Sequence, residues 1–189
     1  MKKISFIKLA IVLGVIGIDL VTKEIFYGTD YTIIPYVLGT RATGLNTGAA
    51  WSIFSNLTWL LILFSFVFVI GIAVFDFFSK FNNKIYSVGI SFVLGGAIGN
   101  LIDRIFLNGV RDFIYFDFWQ SYPTFNMADT FLIIGIILIA VYIIFLIPQK
   151  EKNEEVINKD DKELKVEEKK IEKEKSLSKQ KGVADKDGK

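Results

Sequence analysis

The sequence lacks two residue types that carry much of enzyme chemistry, since it contains no cysteine and no histidine. Their absence excludes disulfides, thiol nucleophiles, thiolate zinc sites and the Ser-His-Asp and Cys-His mechanisms. It also removes the side chain that usually carries protons near physiological pH. Any acid–base chemistry must therefore be carried by Asp, Glu, Lys or Tyr.

Charged residues are scarce over most of the chain. Residues 1–149 contain nine Lys or Arg and eight Asp or Glu, whereas residues 150–189 contain thirteen and twelve. The net charge of +2 therefore sums two unlike regions and predicts little about partners. We predict a membrane domain over 1–149. For 150–189 we expect a charged, disordered cytoplasmic tail, because it has too few large apolar residues to fold alone; a regulatory or ribosome-binding role is the alternative.

Four apolar stretches predict membrane-spanning helices, since a bilayer requires roughly 17–25 mostly apolar residues per helix. They cover residues 4–21, 57–75, 85–102 and 130–147, the last of which is stopped by Pro148. The first is interrupted by Lys8, so a signal peptide is the alternative. We favour an uncleaved helix, because no small-residue cleavage site follows. The expected fold is an all-α membrane protein with a four-transmembrane-helix bundle.

Lysines orient this bundle by the positive-inside rule. Lys2, Lys3, Lys8, Lys80, Lys84 and the tail share one side of a four-span chain, which places both termini in the cytoplasm. The loops 24–56 and 104–127 then face outward. Alternation over 31–37 and turn-forming residues over 39–46 predict a small extracytoplasmic β element between helices 1 and 2.

Three aspartates from three predicted helices fall at the outer level of the membrane: Asp19, Asp103 and Asp129. Ionisable groups in membrane helices are costly and usually functional. On helix 3, Gly96, Asn100 and Asp103 share one face. This convergence indicates a functional site at the outer end of the bundle.

Each aspartate also has a structural interpretation. Asn126 lies three residues before Asp129, so it is a candidate cap for helix 4, with the acidic side chain favouring the positive helix end. Asp103 could be neutralised by Arg104 or by Arg111. Both interpretations remain open beside the functional one.

For Asp19 the structural interpretation is the stronger, because Lys23 lies four residues later and fits a helical ion pair. Two carboxylates that share a proton, by contrast, can perform hydrolysis. The ionised member takes a proton from water while the protonated one polarises the scissile carbonyl. Neither a metal nor a covalent intermediate is required.

Five motifs occur in order along the chain. They are Asp19-Leu-Val-Thr-Lys23, Asn46-Thr-Gly-Ala-Ala-Trp51, Gly95-Gly-Ala-Ile-Gly-Asn-Leu-Ile-Asp-Arg104, Val110-Arg-Asp-Phe113 and Phe125-Asn-Met-Ala-Asp129. Together they closely resemble the bacterial lipoprotein signal peptidase family, signal peptidase II, over roughly residues 1–148.

The resemblance implies an aspartic endopeptidase that removes the signal peptide from diacylglyceryl-modified prolipoproteins, cutting just before the lipidated cysteine. Its catalytic pair maps onto Asp103 and Asp129, and Asp19 and Lys23 match a motif linked to stability. The positions that would line the site and orient the aspartates or the substrate backbone are Asn46, Gly48, Asn100, Arg104, Asn126 and Ala128.

The resemblance also implies a setting for this chemistry. The enzyme would lie in the bacterial cytoplasmic membrane, with its active site near the outer leaflet, a small sheet lying on the membrane and a helix elsewhere in the outer region covering the site. Prolipoproteins and membrane lipid are the expected partners; no nucleic acid, metal or other cofactor is expected.

Two positions depart from the family pattern: Trp51 replaces the usual Phe, and Arg111 stands where an apolar residue is common, so that it could alter the charge balance near the aspartates.

Two other classes of protein compete with a peptidase. A proton-coupled transporter would have acidic residues at several depths. A scaffold would tolerate Asp→Asn at both catalytic positions.

Overall fold

The structure is a computed structural model that describes residues 6–48, 57–79, 81 and 83–149. Two compact units are distinguished, Met1–Tyr142 and Ile143–Lys189, and the site lies within the first. The predicted tail, Lys2, Lys3, Lys80 and Trp51 lie outside the described residues.

Helices dominate the described chain. They are α1 (Phe6–Phe26), α2 (Thr58–Phe78), α3 (Lys84–Leu107) and α4 (Met127–Val141), which is followed by a π-helical turn at Tyr142–Leu146. Helical residues continue to Gln149, one position past the predicted stop at Pro148.

Three helical stretches are long and apolar enough to cross a membrane, namely Thr58–Phe78, Lys84–Leu107 and Met127–Gln149. Helix α1 has the same length as α2, 21 residues, but charged side chains interrupt it. A fourth span through α1 therefore stays a prediction.

Helix α3 lies at the centre and packs against α1, α2 and α4. Small residues permit these close approaches, because a Cβ added at Gly95 or Gly99 would meet α1, and one at Gly96 would meet the backbone of Ala128 in α4. Asn108, with φ of 58°, ends α3 in the left-handed conformation typical of helix C-termini. Close packing on α1 and α4 brings the polar end of α3 against both neighbours.

The predicted β element exists and is larger than expected. Strands β1 (Tyr31–Ile34) and β2 (Leu38–Thr40) pair antiparallel, and β2 also pairs antiparallel with β3 (Ile114–Phe116) from the loop between α3 and α4. The sheet therefore joins the two long loops. The described parts of these loops, 27–48 and 108–126, contain no helix that could correspond to the expected covering helix.

Polar contacts also join the helices at the opposite end of the bundle. The Lys8 ammonium lies 2.7 Å from the Asp76 carboxylate, which ties α1 to α2. Lys8 lies near the start of α1, whereas the aspartates of the predicted site lie near the end of α1, near the end of α3 and at the start of α4.

Candidate active site

A cavity of about 390 Å³ opens where the C-terminal end of α3 meets the N-terminal end of α4 and the two long loops. One wall is polar and carries two carboxylates, Asp112 and Asp129; the other is aromatic and aliphatic. Its lining comprises Asn46, Asn100, Arg104, Val110, Asp112, Phe116, Tyr122, Pro123, Thr124, Phe125, Asp129, Thr130, Ile133 and Ile134.

Asp112 is almost fully buried and is held by two side-chain amides. Asn46 donates from Nδ2 to Oδ2 over 2.8 Å, and Asn126 donates from Nδ2 to Oδ1 over 2.6 Å. Burial, and to a smaller extent the neighbouring charge of Asp129, raise the pKa of Asp112 to about 7 against the opposing effect of the two amide donors. Asp112 therefore changes its protonation state near neutral pH.

Asn46 is placed by the backbone of the loop that carries Asp112. It exchanges two backbone hydrogen bonds with Val110, each 2.9 Å long. The backbone N–H of Gly48 donates to Asn46 Oδ1 over 3.0 Å, which leaves the amide nitrogen directed at Asp112. Gly48 thus acts on the carboxylate through Asn46, and Trp51 of the same motif is outside the described residues.

Asp129 uses its two carboxylate oxygens differently. Oδ1 accepts a 2.7 Å hydrogen bond from Asn100 Nδ2. Oδ2 accepts a hydrogen bond from the backbone N–H of Asn126. In return, Asn126 Oδ1 accepts a hydrogen bond from the backbone N–H of Asp129. These two reciprocal bonds form a capping box at the start of α4. The structural interpretation of Asn126 is therefore confirmed, and the same contacts fix Asp129 beside the cavity.

A buried lysine links these groups beneath the cavity. Lys23 Nζ donates to Asp19 Oδ2 over 2.8 Å and to Asn100 Oδ1 over 3.0 Å. Asp19 Oδ1 in turn accepts from the backbone N–H of Ala128 over 2.9 Å. The predicted ion pair between Asp19 and Lys23 is thus confirmed, and it ties α1 to the first turn of α4.

Asp103 does not lie in the lining of the cavity. Its carboxylate lies 3.3 Å from Lys23 Nζ and accepts hydrogen bonds from the guanidinium and the backbone N–H of Arg111. Of the two neutralising partners considered, the structure selects Arg111. Of the two predicted catalytic residues, the cavity lining contains Asp129 but not Asp103, and its second carboxylate is that of Asp112.

Arg104 does reach the cavity, and its side chain is without a hydrogen-bond partner in the described chain. Its Nε is buried and has no acceptor there. An unpaired buried donor is costly, by about 1–3 kcal/mol. Arg104 therefore lines the cavity and carries one buried donor that no described residue satisfies.

A family model for signal peptidase (SPase) II matches residues 11–145. The chain belongs to the signal peptidase II family. It is 39% identical over 119 residues to the lipoprotein signal peptidase of Lactobacillus gasseri and 41% identical to that of Lactobacillus johnsonii, in each case covering 63% of this chain and 76% of the relative. The resemblance drawn from the five motifs is thereby confirmed.

Solved structures support the fold of this signal peptidase II family member. A bacterial membrane enzyme determined by the in meso method at 2.3 Å superposes with a TM-score of 0.67 and 32% identity, covering 74% of this chain and 88% of that one. A second, at 1.9 Å, has the same TM-score and 31% identity, covering 75% and 95%.

Seven predicted residues meet around the cavity or one contact behind it, namely Lys23, Asn46, Gly48, Asn100, Arg104, Asn126 and Asp129. Asp112 was not among the predicted site residues. The signal that could have identified it is its place in the fourth motif, where it is an aspartate in an outer loop next to an arginine. Asp112 was missed because it lies in a loop, and a loop has no periodicity that predicts which side chains turn inward.

Proposed function

We propose that the chain removes the signal peptide from diacylglyceryl-modified prolipoproteins, cleaving on the N-terminal side of the lipidated cysteine. Membership of the signal peptidase II family supports this substrate class. The observation that carries the chemistry is one cavity lined by two carboxylates, Asp112, which is held by two side-chain amides, and Asp129, which is held by one side-chain amide and one backbone N–H. We assign these two, rather than Asp103 and Asp129, as the catalytic pair.

The pair works with one shared proton. The ionised carboxylate takes a proton from a water molecule, whose oxygen attacks the scissile carbonyl carbon, while the protonated carboxylate gives its proton to the carbonyl oxygen. The resulting diol collapses as the first carboxylate protonates the leaving nitrogen, the second recovers a proton from a hydroxyl, and the C–N bond breaks. Both carboxylates end in their starting states. The pH dependence belongs to the pair rather than to either residue.

The remaining polar residues prepare this step. Amide donors from Asn46, Asn100 and Asn126 hold the carboxylates in fixed rotamers, which preserves their alignment during proton transfer. The free guanidinium of Arg104 supplies a donor for a substrate carbonyl. Ala128 contributes through its backbone bond to Asp19, which anchors the first turn of α4.

The apolar wall suggests how a lipid-modified substrate enters. Thr130, Ile133 and Ile134 continue along α4 from Asp129, and the last two are 51% and 40% exposed. An exposed aliphatic face on a membrane helix is solvated by lipid. The signal helix and acyl chains can therefore lie along this face while the cut site reaches the carboxylates.

The topology forms part of the proposal: four spans in the bacterial cytoplasmic membrane, both termini inside and the cavity near the outer leaflet. It is supported by the location of the site at the C-terminal ends of α1 and α3 and the N-terminal end of α4. Since the chain has no cysteine, Gln120→Cys should react with an impermeant maleimide in intact cells, and Lys84→Cys only after permeabilisation. The reverse pattern would contradict the orientation.

Cleavage of a diacylglyceryl-modified prolipoprotein by purified protein tests the function. Asp112→Asn and Asp129→Asn should each lower the rate by at least about a thousandfold, whereas Asp117→Asn, in the same loop but outside the cavity, should retain the wild-type rate. Equal expression and thermal stability must accompany each comparison. If Asp112→Asn remains folded and cuts at the wild-type rate, the assigned pair is wrong.

A further inference from the structure

Arg111 immediately precedes Asp112 and is tied to two helices. Its Nη2 donates to Asp103 Oδ1 over 2.9 Å and its Nη1 donates to Glu24 Oε2 over 3.0 Å. The guanidinium therefore links the loop that carries Asp112 to α3 and to the end of α1. Because a guanidinium is a rigid planar fork, such contacts fix position as well as charge.

Asp103 also holds the backbone of this loop. Its Oδ2 accepts the backbone N–H of Arg111 over 3.0 Å and the Nε of the same residue over 3.3 Å. The Asp103 carboxylate is 1% exposed and is also paired with Lys23. Lys23 and Arg111 therefore both hold this carboxylate in place. One buried side chain on a helix thus anchors the residue next to a cavity carboxylate.

The residue on the other side of Asp112 is equally fixed. Phe113 is buried and stacks on Phe26 of α1, with ring centroids 5.9 Å apart. Its backbone N–H donates to Phe125 over 3.0 Å. Since both neighbours are anchored, the direction of the Asp112 side chain is set by the loop backbone.

We infer that Arg111 and Asp103 form a positioning pair, which holds the Asp112 carboxylate toward Asp129 and keeps the charge of the guanidinium directed away from the cavity. The inference rests on the proposed function, in which Asp112 is catalytic. Neither member of the positioning pair touches the substrate.

The charge balance around Asp112 makes the pair testable by pH. The charged groups on the elements packed around it are Asp19, Lys23 and Glu24 on α1, Asp103 and Arg104 on α3, Asp129 on α4, Arg111 and Asp117 in its own loop, and Asp30 and Arg41 in the first long loop. Asp30 and Arg41 are engaged elsewhere, since Asp30 accepts from the backbone N–H of Ala42 and Arg41 donates to Gln120. The hydrogen bonds to Asp103 raise the pKa of Arg111, and Glu24, whose side chain is 82% exposed, is screened by solvent. Asp103 is therefore the main compensating charge for Arg111.

Removing either member should move the alkaline limit of activity, in opposite directions. Arg111→Leu leaves the negative charge of Asp103 less compensated, which raises the pKa of Asp112 and shifts the alkaline limb of kcat to higher pH by about a third of a unit. Asp103→Asn leaves the positive charge of Arg111 uncompensated, so the limb moves to lower pH by a similar amount. The double variant should return toward the wild-type limb, because both charges are gone.

The experiment is the pH dependence of kcat and KM for cleavage of a diacylglyceryl-modified prolipoprotein, from pH 5 to about 9. We expect each single variant to lose about tenfold in kcat through misplacement of Asp112, with KM within about twofold of wild type. Arg111→Lys, which keeps the charge but loses the fork, should lose activity without moving the limb. Arg41→Leu removes the same charge from the other long loop and should leave the limb unmoved.

The outcomes separate the inference from the function on which it rests. The positioning pair would be overturned if the alkaline limb of kcat stayed at the wild-type pH in Arg111→Leu. It would also be overturned if this limb moved in the same direction in Arg111→Leu and Asp103→Asn. If Asp103→Asn does not fold, the contrast between Arg111→Leu, in which the limb should move, and Arg111→Lys, in which it should not, still decides. A folded, fully active Asp112→Asn would instead overturn the proposed catalytic pair itself.

Discussion

Replacing Asp112 should abolish cleavage and yet stabilise the folded protein at alkaline pH. The carboxyl is 3% exposed, and burial raises its pKa from 3.8 to about 7. A raised folded-state pKa means that stability is lost as the pH rises from about 4 to 7, because the folded state must give up a proton that it holds more tightly. Asp112→Asn removes this loss.

The magnitude follows from the two pKa values. At about 1.4 kcal/mol per pH unit, the raised pKa costs the folded state about 4 kcal/mol at pH 8 but only about 1–2 kcal/mol at pH 5, where the folded carboxyl is still protonated. An asparagine has one acceptor for the two amides of Asn46 and Asn126, so one donor loses its partner, at about 1–2 kcal/mol. We therefore expect the variant to exceed wild type by about 2–3 kcal/mol at pH 8 and to match it within about 1 kcal/mol at pH 5.

Thermal unfolding of detergent-solubilised protein at the two pH values provides the assay. A difference of 2–3 kcal/mol corresponds to a shift in Tm of about 5–10 °C for a chain of this size. Asp117→Asn in the same loop reports the effect of the substitution itself. A stability difference between Asp112→Asn and wild type that is equal at pH 5 and pH 8 would refute the assignment of a raised pKa to this carboxyl.

Three further substitutions test the packing and the hydrogen bonds around the cavity. Asn46→Ala removes a bond that favours the charged form of Asp112, so the alkaline limb of kcat should rise by about half a unit; an unmoved limb would exclude this role. Gly96→Val places side-chain atoms against the backbone of α4 and should cost at least about 2 kcal/mol in unfolding free energy, whereas Gly71→Val, in open space, should not. Lys23→Met leaves the buried Asp19 carboxylate without its ion-pair partner and leaves Asp103 with Arg111 alone, and should cost about 3–5 kcal/mol, measured by denaturation; a wild-type midpoint would contradict the buried ion pairs of Lys23.

Much of the helical scaffold was predictable because its signals are local. Uninterrupted apolar runs identified α2, α3 and α4, and the spacing of Asn126 and Asp129 predicted the cap that begins α4. The pairing of Asp19 with Lys23 follows from their four-residue spacing in one helix. In each case the deciding contact lies within one turn of the chain.

The parts that were missed depend on contacts between distant segments. Strand β3 has only three residues, too few to show a period, and its partner β2 lies more than seventy positions earlier. The helix that carries Asp103 continues to Leu107 rather than ending at residue 102, which leaves that carboxylate within α3, directed toward Lys23. Asp112 enters the cavity because anchored neighbours turn it inward, and no pattern in the sequence of the loop predicts that direction.

Charge balance explains why a proton is retained beside the cavity. Within the described residues, four buried or half-buried carboxylates (Asp19, Asp103, Asp112 and Asp129) face three cations (Lys23, Arg104 and Arg111) at one end of the bundle. A net buried charge is expensive, so one bound proton brings the cluster to neutrality. Asp19 and Asp103 are already paired with cations, which leaves the proton to Asp112 and Asp129. The ion pairs beneath the cavity therefore favour the singly protonated state that two-carboxylate hydrolysis requires.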